Sequence, residues 1–119
     1  SDAGHGLASS TLADAKRTRA CFITTDYVLD ETATLLKARG LSHLLPPFFE
    51  TIFSSETCLI EWTDSERFVS AKDYFIKHCD HDYSFTDCVS FVTMRELELH
   101  LALTRDQHFR QAGFTPILT

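Results

Sequence analysis

Glu31, Asp87 and Asp106 each stand where an apolar run gives way to a helical pattern, within Thr24–Thr32, Ser84–Cys88 and Leu103–Phe109. In an α/β sheet the strand ends of one edge lie side by side, and that edge is where such folds place ligands. Carboxylates delivered there by three separate segments can hold a hard divalent cation. This convergence is the strongest chemical signal in the chain.

Each acid also has a reading without chemistry. Glu31 shares a helical face with Val28 and Leu35, and a carboxylate buried on such a face needs a partner. A metal ion is one such partner; a buried Arg or Lys is the other. Its neighbour Asp30 points elsewhere and reads as solvated. Asp87 follows Ser84 by three positions, the spacing of a capping box. Asp106 falls in the first turn after Thr104, where the helix dipole favours any acid. The hydroxyls Thr25, Thr86 and Thr104 read as caps or as groups that orient a water.

Other motifs are weaker. His78-Cys79-Asp80-His81-Asp82 gathers ligand types, but no second cluster completes a tetrahedral zinc site, so it reads as a solvated loop. The glycines, Gly4, Gly6, Gly40 and Gly113, form no phosphate-binding loop. A nucleophile elbow is also missing.

The elements that must position the acids alternate along the chain. Leu7–Arg19 has helical spacing, Cys21–Thr24 reads as a strand, and a helix capped at Thr25 or Asp26 runs to Arg39 and ends at Gly40. Pro46 and Pro47 suit the first turn of a helix through Phe48, Phe49, Ile52 and Phe53. A strand over Thr57–Trp62 precedes a helix over Asp64–Cys79, on which Phe68, Val69, Ala71, Lys72, Phe75 and Ile76 make an apolar stripe. A helix from about Phe85 to Leu97, a strand over Leu99–Leu103, a short helix over Arg105–Ala112 and a last strand over Phe114–Leu118 complete the order. Helices rather than tight turns separate the strands, so the sheet is mostly parallel. The whole is a single α/β domain with helices flanking the sheet.

Composition constrains function less. The 119 residues suffice for a single core, and the net charge of −6 argues against a broad basic field for gripping nucleic acid. No run approaches the roughly 18 apolar residues of a membrane span. Ser1–Gly6 lacks the basic and apolar regions of a signal peptide. Cys21, Cys58, Cys79 and Cys88 therefore read as reduced, largely buried thiols of a cytoplasmic protein. Most of the ten phenylalanines are expected in the core.

From about Asp2 to Leu118 the sequence resembles PIN-domain proteins, of the kind found as the toxin of bacterial type II toxin–antitoxin pairs. Thr24–Gly40 is similar to the family's second acidic motif with Glu31 as its acid, Ser84–Phe91 to the third with Asp87, and Leu101–Phe109 to the fourth with Asp106. The resemblance implies a three-layer PIN-like fold and a metal-dependent endoribonuclease, with Glu31, Asp87 and Asp106 as catalytic and metal-holding residues. Mg²⁺ or Mn²⁺ is the implied cofactor. The implied partners are RNA, a cognate antitoxin laid across the site, and a second copy in a homodimer. The greasy segment Leu44, Leu45, Phe48, Phe49, Ile52 and Phe53 is the expected contact surface wherever it is left exposed.

The sequence departs from the family at its start. Family members open with a strand ending in an Asp motif, then a helix, before anything similar to Asp2–His5. That strand lies at the sheet centre, between those at Cys21–Thr24 and Leu99–Leu103, and Asp2 does not replace its acid. Leaving two rows of buried backbone groups unpaired costs about 1–3 kcal/mol each. The expectation is that a separate segment or another chain supplies the strand, or that the sheet closes in a rearranged order, with weak metal binding and slight catalysis. Two other functions compete: a non-catalytic interaction module on the same scaffold, and a phosphoacceptor receiver-type domain. The receiver needs a lysine near a later strand, and none follows Lys77.

Overall fold

The computed structural model describes residues 21–104 and 106–117; the helix expected over Leu7–Arg19 and the match near Asp2 lie outside them. Strand β1 (Phe22–Thr25) leads into helix α1 (Asp26–Ala38), followed by a 3₁₀ turn (Ser42–Leu44) and α2 (Leu45–Ser54). Then come β2 (Cys58–Glu61), α3 (Ser65–Lys77), α4 (Phe85–Glu96), β3 (Leu101–Ala102), α5 (Gln107–Gln111) and β4 (Thr115–Pro116). The elements follow the order read from the sequence. The strands at the C-terminal end are shorter than expected, two residues each.

Local chemistry sets the helix ends. The Thr25 hydroxyl accepts the Val28 N–H at 3.2 Å to start α1, as an N-cap should. At its other end Leu41 N–H donates to the Leu36 carbonyl and Gly40 N–H to the Lys37 carbonyl. This closing pattern puts Gly40 at φ 73°, a conformation that favours glycine. The Asp64 carboxylate accepts the Arg67 N–H at 2.8 Å and starts α3.

All observed strand pairing is parallel: β1 with β2, Phe22 opposite Cys58 through Thr25 opposite Glu61, and β3 with β4. These are two separate two-stranded sheets. Helix α4 carries both, and every residue from Cys88 to Met94 is buried. On one side Cys88, Phe91 and Met94 pack with Tyr83, Ala102 and Phe114. On another Val89 and Val92 pack on Ala71 of α3. A helix covered all round shows little amphipathic pattern, and of its two buried hydroxyls, Ser90 and Thr93, the second is satisfied locally, Thr93 Oγ1 donating to the Val89 carbonyl at 2.7 Å.

Between β1 and β3 lies a cleft of ≈ 990 Å³, walled by both strands and floored by Ser90, Thr93 and Met94 of α4. The two sheets have not closed up in a rearranged order. The pairing cost reckoned from the sequence applies to groups shut away from water. Ile23 of β1 and Leu101 of β3, both on the cleft lining, are 38% and 64% exposed.

Three further expectations are corrected. Of the α3 stripe only Ala71 is buried, while Phe68, Val69, Phe75 and Ile76 are exposed. Ala71 packs on Val89 and Val92 of α4, while Phe68 and Phe75 lie against the Phe85 ring at the start of α4 and keep 43% and 40% of their surface exposed. Among the described phenylalanines only Phe91 and Phe114 are buried. Of the cysteines only Cys88 is buried, and Cys21 and Cys79 are exposed. No described helix is long and apolar enough to cross a membrane.

Candidate active site

Helix starts deliver two of the three acids. Ser84 caps α4: its hydroxyl accepts the Asp87 N–H at 3.0 Å, and Asp87 Oδ2 accepts the Ser84 N–H at 3.0 Å. The capping box read from Ser84 and Asp87 is therefore real. It engages only Oδ2, and Oδ1 has no hydrogen-bond partner among the described residues. Capping and a role in the site are compatible in one carboxylate.

Asp106 is itself the N-cap of α5, its Oδ1 accepting the His108 N–H at 2.9 Å. The Asp106 N–H in turn donates to Thr104 Oγ1 at 3.0 Å. Thr25 and Thr104 thus both work as caps or turn-formers, while Thr86 lines the cleft.

Asp87, Asp106 and His108 each present a ligand atom, and these lie within 4.8 Å of one another. His108 Nδ1 is 3.0 Å from Asp87 Oδ2 and 3.4 Å from Asp106 Oδ1. Sequence reasoning passed over His108, although it sits two positions after Asp106 in the stretch already singled out. The signal was its place in the first turn after a capping aspartate, which brings it back beside that carboxylate.

Glu31 lines the same cleft from α1 but is not part of that close group. Its side chain is exposed, so the burial argument for a partner does not hold. Its place in the site rests on sharing the cleft alone. The structure brings Asp87 and Asp106 together, and Glu31 lines the same cleft outside that close group.

The surroundings are apolar on the α4 side. Burial, and secondarily the charge of Asp87, pushes the Cys88 thiol up to about 11. Burial likewise raises the Tyr83 phenol. The loop at His78–Asp82 is less loose than its composition suggested. His81 stacks flat on Tyr83 at 4.8 Å, and His78 lies 4.2 Å from the Tyr74 ring. That loop forms no ligand group among the described residues.

Two carboxylates that each keep, among the described residues, one oxygen without a hydrogen-bond partner are hard donors, and such a set fits a divalent cation completed by water.

No protein-family model matches the sequence. The chain is 30% identical over 116 residues to the 23S rRNA-specific endonuclease VapC20 of Mycobacterium tuberculosis, from strains CDC 1551 and H37Rv. The match covers 98% of this chain and 86% of the relative. A crystal structure of M. tuberculosis VapC20, a sarcin–ricin loop cleaving toxin, superposes with a TM-score of 0.75 at 29% identity. It covers 83% of this chain and 75% of that one.

Proposed function

The chain belongs to the VapC-like family of PIN-domain toxins, and from that premise we propose that it is a metal-dependent endoribonuclease. The observation that carries the reading is the meeting of Asp87 and Asp106, from two separate helix starts, at the cleft that Glu31 also lines. Asp87 and Asp106 would hold Mg²⁺ or Mn²⁺, and Glu31, on the lining of the same cleft, completes the acidic set. The bound cation supplies charge neutralisation at the scissile phosphate and a water acidic enough to attack it.

The chain's own residues do the positioning. Each capping interaction engages one oxygen of its aspartate and, among the described residues, leaves the other without a hydrogen-bond partner. The Thr86 hydroxyl, on the cleft lining, is placed to donate to a phosphate oxygen. With a net charge of −6 there is little general pull on RNA. Recognition then depends on the shape of a folded RNA loop, and 23S rRNA is the first substrate to try.

The same reading assigns partners. A cognate antitoxin and a second copy are the protein partners, and the α2 face offers them Leu44, Phe49 and Phe53, 40%, 37% and 61% exposed. The chain is a single PIN-like domain over residues 1–119, working on cytoplasmic RNA. An apolar strand seated in the cleft would pair with the facing edges of β1 and β3 and unite the sheets.

The test is cleavage of a 23S rRNA fragment carrying the sarcin–ricin loop, with Mn²⁺ and with Mn²⁺ plus EDTA. Discrete products that vanish with EDTA are expected. Equal cleavage in EDTA removes the metal from the mechanism. No discrete product at stoichiometric protein favours the non-catalytic interaction module.

A further inference from the structure

The geometry points to His108 as the residue that orients Asp87 toward the cation, an assignment resting on the metal-dependent reading above. Asp87 Oδ2 accepts from two directions: the Ser84 N–H at 3.0 Å and His108 Nδ1 at 3.0 Å. An ionised carboxylate only accepts, so the ring carries its proton on Nδ1, a tautomer assigned from this partner. Two donors on one oxygen fix the rotation of the carboxylate. Oδ1 then faces away from both and becomes the oxygen offered to the cation.

His108 is itself held. Its ring is 27% exposed and meets the Tyr83 ring edge-on, centroids 5.6 Å apart at 81°. Tyr83 is buried against Phe91 of α4. The His108 backbone N–H is taken by Asp106 at 2.9 Å. One residue therefore touches both acids, through Nδ1 to Asp87 and through its N–H to Asp106, and sets their spacing across the α4–α5 junction. Groups that hold a metal-binding carboxylate in this way typically change metal affinity when removed.

Two substitutions separate the hydrogen bond from ring packing. His108→Phe keeps the aromatic contact with Tyr83 and removes the donor. His108→Asn places an amide N–H near the position of Nδ1. Mn²⁺ binding to the whole chain, measured by isothermal titration calorimetry, reads the effect without depending on cleavage. His108→Phe is expected to weaken Mn²⁺ binding by about 10- to 100-fold, and His108→Asn to stay within about threefold of wild type. If the bulk of Phe prevents folding, His108→Ala takes its place, since the residue lies outside both buried clusters.

A donor-free variant that binds Mn²⁺ as tightly as wild type overturns the assignment. So does His108→Asn binding as weakly as His108→Phe, which would make the ring a packing element or a direct nitrogen ligand. Wild-type protein that takes up no Mn²⁺ overturns the metal-dependent reading itself, a failure distinct from the other two.

Discussion

Asp87 performs two tasks in one side chain, and Asp87→Asn separates them. Asparagine keeps the shape and an acceptor oxygen, so the bonds from Ser84 and His108 survive with a neutral acceptor. Hydrogen bonds to charged groups contribute roughly 1.5–3 kcal/mol against 0.5–1.5 for neutral ones, a loss near 1 kcal/mol for each bond. Partial exposure and relaxation reduce this, so the expected cost is about 1–2 kcal/mol, or a fall in Tm of roughly 4–8 °C for a chain of this size. Loss of the charge that holds the cation acts on the reaction instead. It should lower Mn²⁺-dependent RNA cleavage at least ~100-fold, equivalent to about 2.7 kcal/mol of barrier. Ser84→Ala is the complementary change. It deletes the cap hydroxyl at a cost of about 1 kcal/mol, while the backbone N–H that holds Asp87 Oδ2 remains. Its cleavage rate should stay at the wild-type level at a temperature where both proteins are folded. The assay is single-turnover cleavage in Mn²⁺ beside thermal unfolding followed by circular dichroism. Full activity in Asp87→Asn would refute the reasoning and leave Asp87 as a cap alone. So would a loss of cleavage in Ser84→Ala as large as that in Asp87→Asn.

Cys88 gives a pH dependence. Its thiol sits at about 11 against an ordinary 9.0, so the folded state holds the proton more tightly than the unfolded chain. Its contribution is complete below pH 9 and is lost as pH rises to 11, a fall of about 2–3 kcal/mol. Urea melts of wild type and Cys88→Ala from pH 8 to 11 check this; an equally steep decline in the variant rejects it. Glu98 closes α4 at φ 56°, where a side chain costs roughly 1–2 kcal/mol relative to glycine. Glu98→Gly should therefore raise stability by about 1 kcal/mol after the added freedom of the unfolded chain is set against it, and a drop in Tm would show the residue is not strained. Phe53→Asp should abolish any concentration-dependent dimer in light scattering while leaving Tm nearly unchanged, because the ring is 61% exposed; an unaltered dimer places that interface elsewhere. An apolar strand seated in the cleft should protect the amides of Phe22–Thr25 and Leu101–Ala102 from hydrogen exchange, and equally fast exchange with and without it denies that pairing.

The local rules acted within a few residues of sequence, and there the reading was sound. Gly40 ended α1, Thr25 began it, and Ser84 with Asp87 formed the capping box. Parallel pairing followed from helices between strands, since a tight turn cannot join parallel neighbours. The meeting of Asp87 and Asp106 in space was legible in part, because helix starts favour carboxylates, but only Asp106 follows a strand, and Asp87 follows the loop between α3 and α4.

What the sequence left undecided depended on distance across the fold. Helical spacing marked Phe68, Val69, Phe75 and Ile76 as a core stripe, but periodicity names a face and not its covering; of that stripe only Ala71 is buried, and Phe68 and Phe75 touch the Phe85 ring of α4 while staying largely exposed. Helix α4, with a weak pattern of its own, became the buried centre because both sheets and α3 pack around it. Glu31 was read as buried and is exposed, since its face looks into an open cleft. His108 entered the site through contact between α4 and α5, residues 21 positions apart in sequence. Spacing along the chain fixes which groups share a helix face, whereas the packing of one helix on another decides which carboxylates, and which histidine, come within bonding distance.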